Sequence, residues 1–265
     1  MNFPTTFDPM AYTDEVEEAA RAAGWMVRHL SPMESGPRPW FQCAAPEGDS
    51  VPPRLYLSSG IHGDEISGPF ALLEMIRQPG CFDAFDVTMF PILNPNGRAR
   101  GVRTNRDEID LNRDYRNSRS LEIKSHIETL QTLGRFDASM LLHEDYEGIG
   151  AYLYELNDTL DPGLGASIIA AMGLHVPIDL RPEIEEAPAR GGVISRRDLA
   201  NKLGRLEDRP EWAEATYLTV YNTEASYTIE TPKPFPIKAR VNAHIAAVET
   251  LMKALKFDPL RRLRE

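Results

Sequence analysis

Cysteines are scarce in this sequence, and it lacks long hydrophobic runs and an excess of basic residues. Cys43 and Cys81 are too few and too far apart for a disulfide framework or a cysteine metal site, so we expect buried thiols. No stretch approaches the roughly 18 apolar residues of a membrane helix, so no membrane partner is expected. With 29 basic and 40 acidic residues the net charge is −11, which argues against a nucleic-acid partner.

The amino-terminal segment also lacks the basic start and apolar run of a signal peptide, which predicts a cytoplasmic protein. A composition of 42% hydrophobic and 26% charged residues permits a sizeable core. We find no repeat, low-complexity tract or linker. A single domain over residues 1–265 is therefore expected.

Strand and helix patterns alternate along the chain. The predicted strands are 40–45, 55–59, 86–93, 136–143, 216–221 and 225–230, and the predicted helices are 13–24, 66–77, 121–133, 166–172 and 239–255. This alternation favours an α/β fold, a sheet with helices on both faces. The proline-rich and charged segment 178–212 is either an insertion that covers a site or a solvated surface loop.

Polar residues stand where several predicted strands end. His62 and Glu65 follow the strand 55–59, His143 ends another strand, and Glu230 ends a third. Open α/β sheets bind ligands at this edge, and two histidines with one glutamate form the ligand set of a catalytic zinc site. The competing interpretation for His62 and Glu65 is a turn histidine and a glutamate that stabilises a helix start.

A carboxylate beside such a site can serve as a general base toward water. Glu230 is the preferred candidate, because an acid at the end of an apolar strand is costly to bury without a use. Glu144 is a rival, but strand alternation turns it away from the face of His143. Residues 98–119 carry seven arginines against four acids, so this stretch could bind an anionic substrate, although most of these arginines are expected in solvent.

Five motifs occur together in one order: HGDE at 62–65, NPNG at 94–97, VRTNRDEIDLNR at 102–113, LLHE at 141–144 and TIETP at 228–232. In this order the chain resembles the zinc carboxypeptidase family, the carboxypeptidase A relatives, and especially its short bacterial members, which are similar to murein tripeptide amidase. The resemblance implies a three-layer α/β/α fold with a mixed, mostly parallel central sheet.

The resemblance also implies roles for individual residues. It implies one zinc ion per chain, bound by His62, Glu65 and His143, with Glu230 as general base and acid. It further implies that Arg103 stabilises the oxyanion, that Asn112 and Arg113 bind a substrate carboxylate, and that Asp110 orients His62. The family's substrate-binding tyrosine is not assigned, since Tyr217 and Tyr221 are both closer to Glu230 in sequence than the family's pattern implies.

The predicted function is that of a metallocarboxypeptidase, which hydrolyses the C-terminal amide bond of a peptide. The alternative is an N-acyl amino acid deacylase similar to succinylglutamate desuccinylase and aspartoacylase. The partner is then a peptide or an N-acyl amino acid with a free carboxylate. A third interpretation, a non-catalytic metal- or peptide-binding protein, is disfavoured because all three ligands and the base are present.

Overall fold

A computed structural model describes residues 8–31, 36–46, 51–157, 163–195 and 208–257. Its helices are α1 (Pro9–Ala22), α2 (Ser67–Arg77), α3 (Pro95–Arg100), α4 (Leu121–Leu133), α5 (Leu164–Met172), α6 (Glu214–Tyr221) and α7 (Ile237–Lys256). Its strands are β1 (Met26–His29), β2 (Pro39–Cys43), β3 (Arg54–Ser59), β4 (Asp86–Phe90), β5 (Ala138–Asp145), β6 (Tyr152–Asn157), β7 (Glu183–Ile184), β8 (Ala187–Pro188), β9 (Val193–Ser195) and β10 (Ala225–Pro232).

Eight of these strands form one mixed sheet in the order β1-β2-β4-β3-β5-β10-β6-β9. Strands β4, β3, β5 and β10 are mutually parallel, and β9 is parallel to β6. The pairs β1 with β2, β2 with β4, and β10 with β6 are antiparallel. The mixed, mostly parallel sheet expected from the sequence is confirmed.

Helices cover both faces of this sheet. Side chains of α1, α2, α5 and α7 share one hydrophobic core, and those of α4 and α6 belong to a second core on the other side. Successive residues of β3 contribute in turn to the two cores, with Leu55 and Leu57 in the first and Tyr56 in the second. This alternation follows from the two-residue period of a strand.

The prediction of a strand at 216–221 was wrong, because this segment lies within helix α6. Its aromatic and β-branched residues favour a strand locally. However, Glu214, Tyr217 and Leu218 are all buried and are separated by three and four positions, the spacing of one helix face. Burial of that face against α4 and the sheet therefore outweighs the local preference.

Two other segments also differ from the simple expectation. The NPNG turn opens the short helix α3, where the Asn94 side chain accepts a hydrogen bond from the Gly97 amide at 2.8 Å. In the segment 178–212, β7 and β8 form a hairpin and β9 joins the main sheet, so this segment is only in part a loop. Residues 196–207 lie outside the described residues.

The sheet order brings the predicted site residues to one edge. Strands β3, β5 and β10 are neighbours and run parallel, so their carboxyl ends meet there. In the register of β10 and β5, Glu230 stands beside His143. Among the described residues, no helix has the length and apolar character needed to cross a membrane.

Candidate active site

The three predicted metal ligands converge at the edge where β3 and β5 end. His62 and Glu65 lie in the turn between β3 and α2, and His143 lies near the end of β5. Their ligand atoms lie within 4.8 Å of one another, and all three residues are buried. The Nδ1 atom of His62 is 2.5 Å from Glu65 Oε1, and the Nδ1 atom of His143 is 3.1 Å from Glu65 Oε2.

Three buried atoms of this cluster make no hydrogen bond of good geometry within the described part of the chain, although each lies near an oppositely charged group: His62 Nε2, Glu65 Oε2 and His143 Nδ1. Buried polar atoms in proteins are nearly always paired. A divalent cation among the nitrogen and oxygen atoms would satisfy Glu65 Oε2 and His143 Nδ1, and imidazole with carboxylate is a common ligand set for transition metals. The residues present therefore fit a metal ion.

The electrostatics of the ligands agree with this fit. Burial raises the pKa of Glu65, yet the imidazoles of His62 and His143 hold it well below its ordinary value. Burial lowers the pKa of His62, but the Glu65 and Asp110 carboxylates outweigh it and leave that pKa above its ordinary value. Glu65 is thus a buried carboxylate, which favours a positively charged partner.

Asp110 joins His62 to the arginine-rich segment. Its Oδ1 lies 3.4 Å from His62 Nε2 and accepts a hydrogen bond from the Asn112 amide, while its Oδ2 accepts one from Arg103 Nε at 2.9 Å. The Nη1 atom of Arg103 lies 3.3 Å from His62 Nδ1. A carboxylate on the far nitrogen of a metal-binding histidine fixes its ring orientation.

Glu230 lies on the face of the sheet that carries His143. It stands beside His143 across the parallel pair and beside Tyr152 across the antiparallel pair. Burial, together with the charges of Glu65 and Asp145, raises the pKa of Glu230 to about 8 despite the opposing effects of His143 and Arg103. A cation between the ligands would lower this pKa and favour the carboxylate form.

Asn112 and Arg113 form a short 3-10 turn after Asp110. The Asn112 Oδ1 accepts a hydrogen bond from the Glu214 amide at 2.9 Å, so its side-chain NH₂ is the group left to face a ligand. Arg113 is exposed, and its Nη1 donates to the Asn112 carbonyl at 2.8 Å. The guanidinium of Arg113 thus lies against the backbone of Asn112.

Glu144, the rival base, points to the opposite face of the sheet. Its carboxylate accepts hydrogen bonds from the Ile66 amide at 2.6 Å and from Ser67 Oγ at 2.5 Å, and it forms an ion pair with Arg240. Every one of these partners lies behind the metal ligands rather than among them. The orientation expected from strand alternation is observed.

The motifs HGDE and NPNG touch each other directly. A Cβ atom added to Gly63 would lie 2.0 Å from the Gly97 carbonyl carbon, so only glycine fits at this position. The Gly63 amide and the Asn94 side chain both donate to the Arg103 carbonyl, at 3.3 and 3.2 Å. This contact holds the ligand turn, α3 and the Arg103 segment together.

Other residues near the site were not anticipated from the sequence. Burial raises the pKa of Tyr154, Glu230 and Glu185 raise it further, and Arg113 lowers it, which places Tyr154 near both the base candidate and the guanidinium. Tyr154 lies two positions after Tyr152, the residue of β6 that pairs with Glu230. The sequence alone does not reveal this pairing, so it could not identify Tyr154.

Tyr217 and Tyr221 belong to a different place. Their rings are 4.8 Å apart and line a cavity of about 690 Å³, together with Tyr115, Trp212 and residues of α4. None of the predicted site residues lines this cavity. Neither tyrosine is therefore assigned to the site.

Comparison with known proteins relates this arrangement to hydrolases. Residues 52–182, just under half of the chain, match the family model of the succinylglutamate desuccinylase/aspartoacylase catalytic domain. Among curated proteins, no sequence matches the chain significantly.

Solved structures resemble the chain over nearly its whole length. A candidate metallopeptidase from Shewanella denitrificans OS217 is 26% identical, with a TM-score of 0.78 over 93% of this chain and 90% of that chain. A metallo-carboxypeptidase from Pseudomonas aeruginosa, solved with (2-guanidinoethylmercapto)succinic acid, is 18% identical, with a TM-score of 0.68 over 95% of this chain and 70% of that chain. The metallo-carboxypeptidase from Burkholderia cenocepacia is 14% identical, with the same TM-score and coverage.

The matched catalytic domain contains the His62, Glu65 and His143 cluster, and the overall fold is that of the metallo-carboxypeptidases. The chain is therefore similar to the zinc carboxypeptidase-like superfamily in its fold and in its matched catalytic segment.

Proposed function

We propose that this protein is a zinc-dependent metallocarboxypeptidase, which hydrolyses the amide bond next to the free carboxylate of a peptide. One zinc ion per chain would be held by His62, Glu65 and His143, a donor set that suits a catalytic zinc site. Zinc in such a site acts as a Lewis acid toward water and toward the substrate carbonyl.

The remaining steps belong to residues of the chain. Glu230 takes a proton from the attacking water and passes it to the leaving amine, as a general base and then a general acid. Arg103, fixed by its hydrogen bond to Asp110, donates to the oxyanion that forms at the scissile carbonyl. Asn112 and Arg113 bind the substrate carboxylate, so the bond next to it lies at the metal site.

The observation that carries this proposal is the fixed orientation of the Asn112 amide. Because the Glu214 amide occupies its oxygen, the Asn112 side chain has a donor and not an acceptor left for a ligand, and the next residue, Arg113, supplies a guanidinium. A pair of donors, one of them charged, selects a carboxylate over a neutral amide. This selection is what an exopeptidase acting at a C-terminus requires.

A second candidate is an N-acyl amino acid deacylase, which is favoured by the family model matched at residues 52–182. Both activities cleave an amide whose nitrogen side carries a free carboxylate, and they differ in the group on the acyl side. Tyr146, Ile149 and Leu180 are 71%, 58% and 73% exposed, and Tyr146 packs on Lys233, which pairs with Asp64 beside Glu65. An exposed apolar surface close to the ligand turn favours an extended peptide over a small acyl group.

The test is a substrate series given to the zinc-loaded protein, with products measured by mass spectrometry. The series contains peptides with a free C-terminus, the same peptides amidated there, and N-acetyl and N-succinyl amino acids. We expect cleavage of the free peptides in preference to the amidated ones. Arg113→Ala should lower kcat/KM for free peptides by about 10- to 10²-fold, the value of hydrogen bonds to a charged group, and should remove the preference.

Arg116→Ala is the matched control, because Arg116 is an exposed arginine of the same segment that packs on Trp212. It should keep the preference for a free C-terminus. Equal cleavage of free and amidated peptides would refute the exopeptidase, and cleavage of N-acyl amino acids alone would establish the deacylase.

A further inference from the structure

Five buried polar side chains lie behind the metal ligands, on the face of the sheet covered by α2 and α7. We name them the buried polar cluster, and they are Ser67, Glu144, Thr231, Arg240 and His244. Two come from α7, one from the start of α2, and one each from β5 and β10. None of them has a part in the catalytic steps described above.

The members of the cluster are joined by hydrogen bonds and one ion pair. Glu144 accepts from Ser67 Oγ at 2.5 Å and pairs with Arg240. The Nε2 atom of His244 lies 3.1 Å from Ser67 Oγ and 3.1 Å from Thr231 Oγ1. Arg240 Nε also donates to the Phe235 carbonyl at 2.8 Å, which fixes its guanidinium from the other side.

Three members of the cluster lie one or two positions after a residue of the candidate site in the sequence. Glu144 is the neighbour of His143 in β5, Thr231 is the neighbour of Glu230 in β10, and Ser67 lies two positions after Glu65. Because adjacent strand residues point to opposite faces, a side chain next to a site residue must lie behind the site.

The cluster also binds the ligand segments to each other. The Glu144 carboxylate accepts from the amide of Ile66, the residue that follows Glu65, at 2.6 Å. The Thr231 hydroxyl lies 3.4 Å from the His143 carbonyl and 3.4 Å from Ser67 Oγ. Each contact spans two segments that must keep a fixed spacing if their ligands are to meet one ion.

Stability alone does not account for such an arrangement. A buried ion pair can often be replaced by uncharged residues without loss of stability, because desolvation offsets its attraction. Removing one partner, in contrast, leaves an uncompensated buried charge and is strongly destabilising. A buried polar network that spans four elements at the metal site therefore suggests a role in geometry.

We propose that the buried polar cluster consists of positioning residues, which fix the spacing between the His62 to Glu65 turn and His143 and thereby set metal affinity and coordination geometry. The proposal goes beyond the cleavage reaction, and it holds whether the substrate is a peptide or an N-acyl amino acid.

The test compares Glu144→Gln, Arg240→Met and the double variant. For each, the metal dissociation constant is measured by chelator competition, the coordination geometry by the absorption spectrum of the cobalt(II)-loaded protein, and the stability of the metal-free protein by urea unfolding. Loss of residues that orient metal ligands typically weakens metal binding by about 10- to 100-fold, and we expect this range for both single variants, with an altered cobalt spectrum.

The double variant separates geometry from stability. Without an unpaired buried charge, the metal-free double variant should regain stability relative to the single variants, while its metal affinity stays low. Recovery of metal affinity together with stability would overturn the proposal and leave the cluster a structural one. Arg240→Lys keeps the cation and should restore part of the affinity.

Thr231→Val and Ser226→Ala form a matched pair on β10, because each removes one buried hydroxyl. Ser226 Oγ lies 2.8 Å from Ser139 Oγ at the other end of the same two strands. Thr231→Val should weaken metal binding and change the cobalt spectrum, whereas Ser226→Ala should do neither. If the charged variants do not fold, an unchanged affinity and spectrum in Thr231→Val overturns the proposal.

Discussion

At the residue scale, the carboxylate of Glu230 is distinguished from its neighbours by its surroundings. Glu224, just before β10, is exposed and pairs with Arg135 at 3.2 Å, whereas Glu230 is half-buried and its pKa is raised to about 8. The carboxyl group is therefore an ordinary surface charge at position 224, whereas at position 230 its pKa is shifted, as is common for catalytic acids and bases.

We expect Glu230→Gln to lower turnover by at least about 10²-fold, because the amide keeps the shape of the side chain but cannot accept a proton. Metal content, measured by atomic emission, should not change. Glu224→Gln is the control and should retain activity. A Glu230→Gln enzyme with full turnover would assign the proton transfer to another group.

A second residue-scale prediction concerns His126, which lies fully buried between two tyrosines. Its Nε2 is 3.0 Å from the Tyr56 hydroxyl and its Nδ1 is 2.7 Å from the Tyr115 hydroxyl. Burial, with a smaller effect of Arg38, lowers the pKa of His126 to about 3. The folded protein therefore keeps this imidazole neutral well below the pKa of about 6.5 that a histidine has in an unfolded chain.

Since the unfolded chain then binds the additional proton, the stability from neutral His126 is complete above about pH 6.5 and is lost as the pH falls below it. The loss should reach about 2 kcal/mol near pH 5. Urea unfolding of His126→Gln should show a shallower decrease, while His175→Gln, on the surface, should keep the full decrease. An unchanged slope in His126→Gln would contradict this assignment.

At the scale of elements, long periodic segments could be predicted from the sequence, and short ones could not. Helix α4 occupies Leu121–Leu133, the range expected, because Ser120 caps its start through the Ile123 amide and Gly134 follows its end. For helix α6 the sequence predicts a strand, because its eight residues are rich in aromatic and β-branched side chains and carry little helical signal. Its conformation depends on a core that the local sequence does not encode.

The candidate site divides in the same way. His62, Glu65, His143 and Glu230 could be found because each lies in a motif at the end of an apolar strand. Glu214, which holds the Asn112 amide, belongs to an element that was predicted wrongly. In α7, Arg240 pairs with Glu144, which is 96 positions away, and His244 contacts Thr231, which is 13 positions away. Only the packed fold brings such residues together.

The contact between the HGDE turn and α3 gives an element-scale prediction. Gly63→Ala would push the turn away from the α3 backbone, so we expect a large loss of stability in urea unfolding and weaker metal binding. Gly101→Ala is the control, since Gly101 has a φ of +65° but nothing within 4 Å of an added Cβ.

Gly101→Ala should cost only about 1 kcal/mol, the strain of a left-handed alanine, with metal affinity unchanged. A loss in Gly63→Ala no larger than that in Gly101→Ala would show that the contact between the two motifs does not require glycine at position 63.

At the scale of the whole molecule, charge is distributed unevenly. The chain carries a net charge of −11, yet the segment that supplies Arg103, Asn112 and Arg113 is rich in arginine. Through Arg103 and Asp110 this segment contacts His62, so it places positive charge beside the candidate metal ligands of an acidic protein. Sheet topology thus brings the candidate metal ligands and the carboxylate-binding candidates together. For example, His62 in the turn after β3 and Asn112 are 50 positions apart in sequence.

The metal should contribute to the stability of the whole fold. Its ligands come from two separate segments, and the unfolded chain does not hold them together, so the ion binds the folded state preferentially. Zinc at 100 times its dissociation constant should raise the free energy of unfolding by about 2.7 kcal/mol relative to the chelated protein. Thermal unfolding with increasing zinc measures this gain as a rising midpoint.

His143→Ala should unfold at the same temperature with and without zinc, while Glu224→Gln should respond as the unmodified protein does. A zinc-dependent midpoint in His143→Ala would place the stabilising ion at some other part of the molecule.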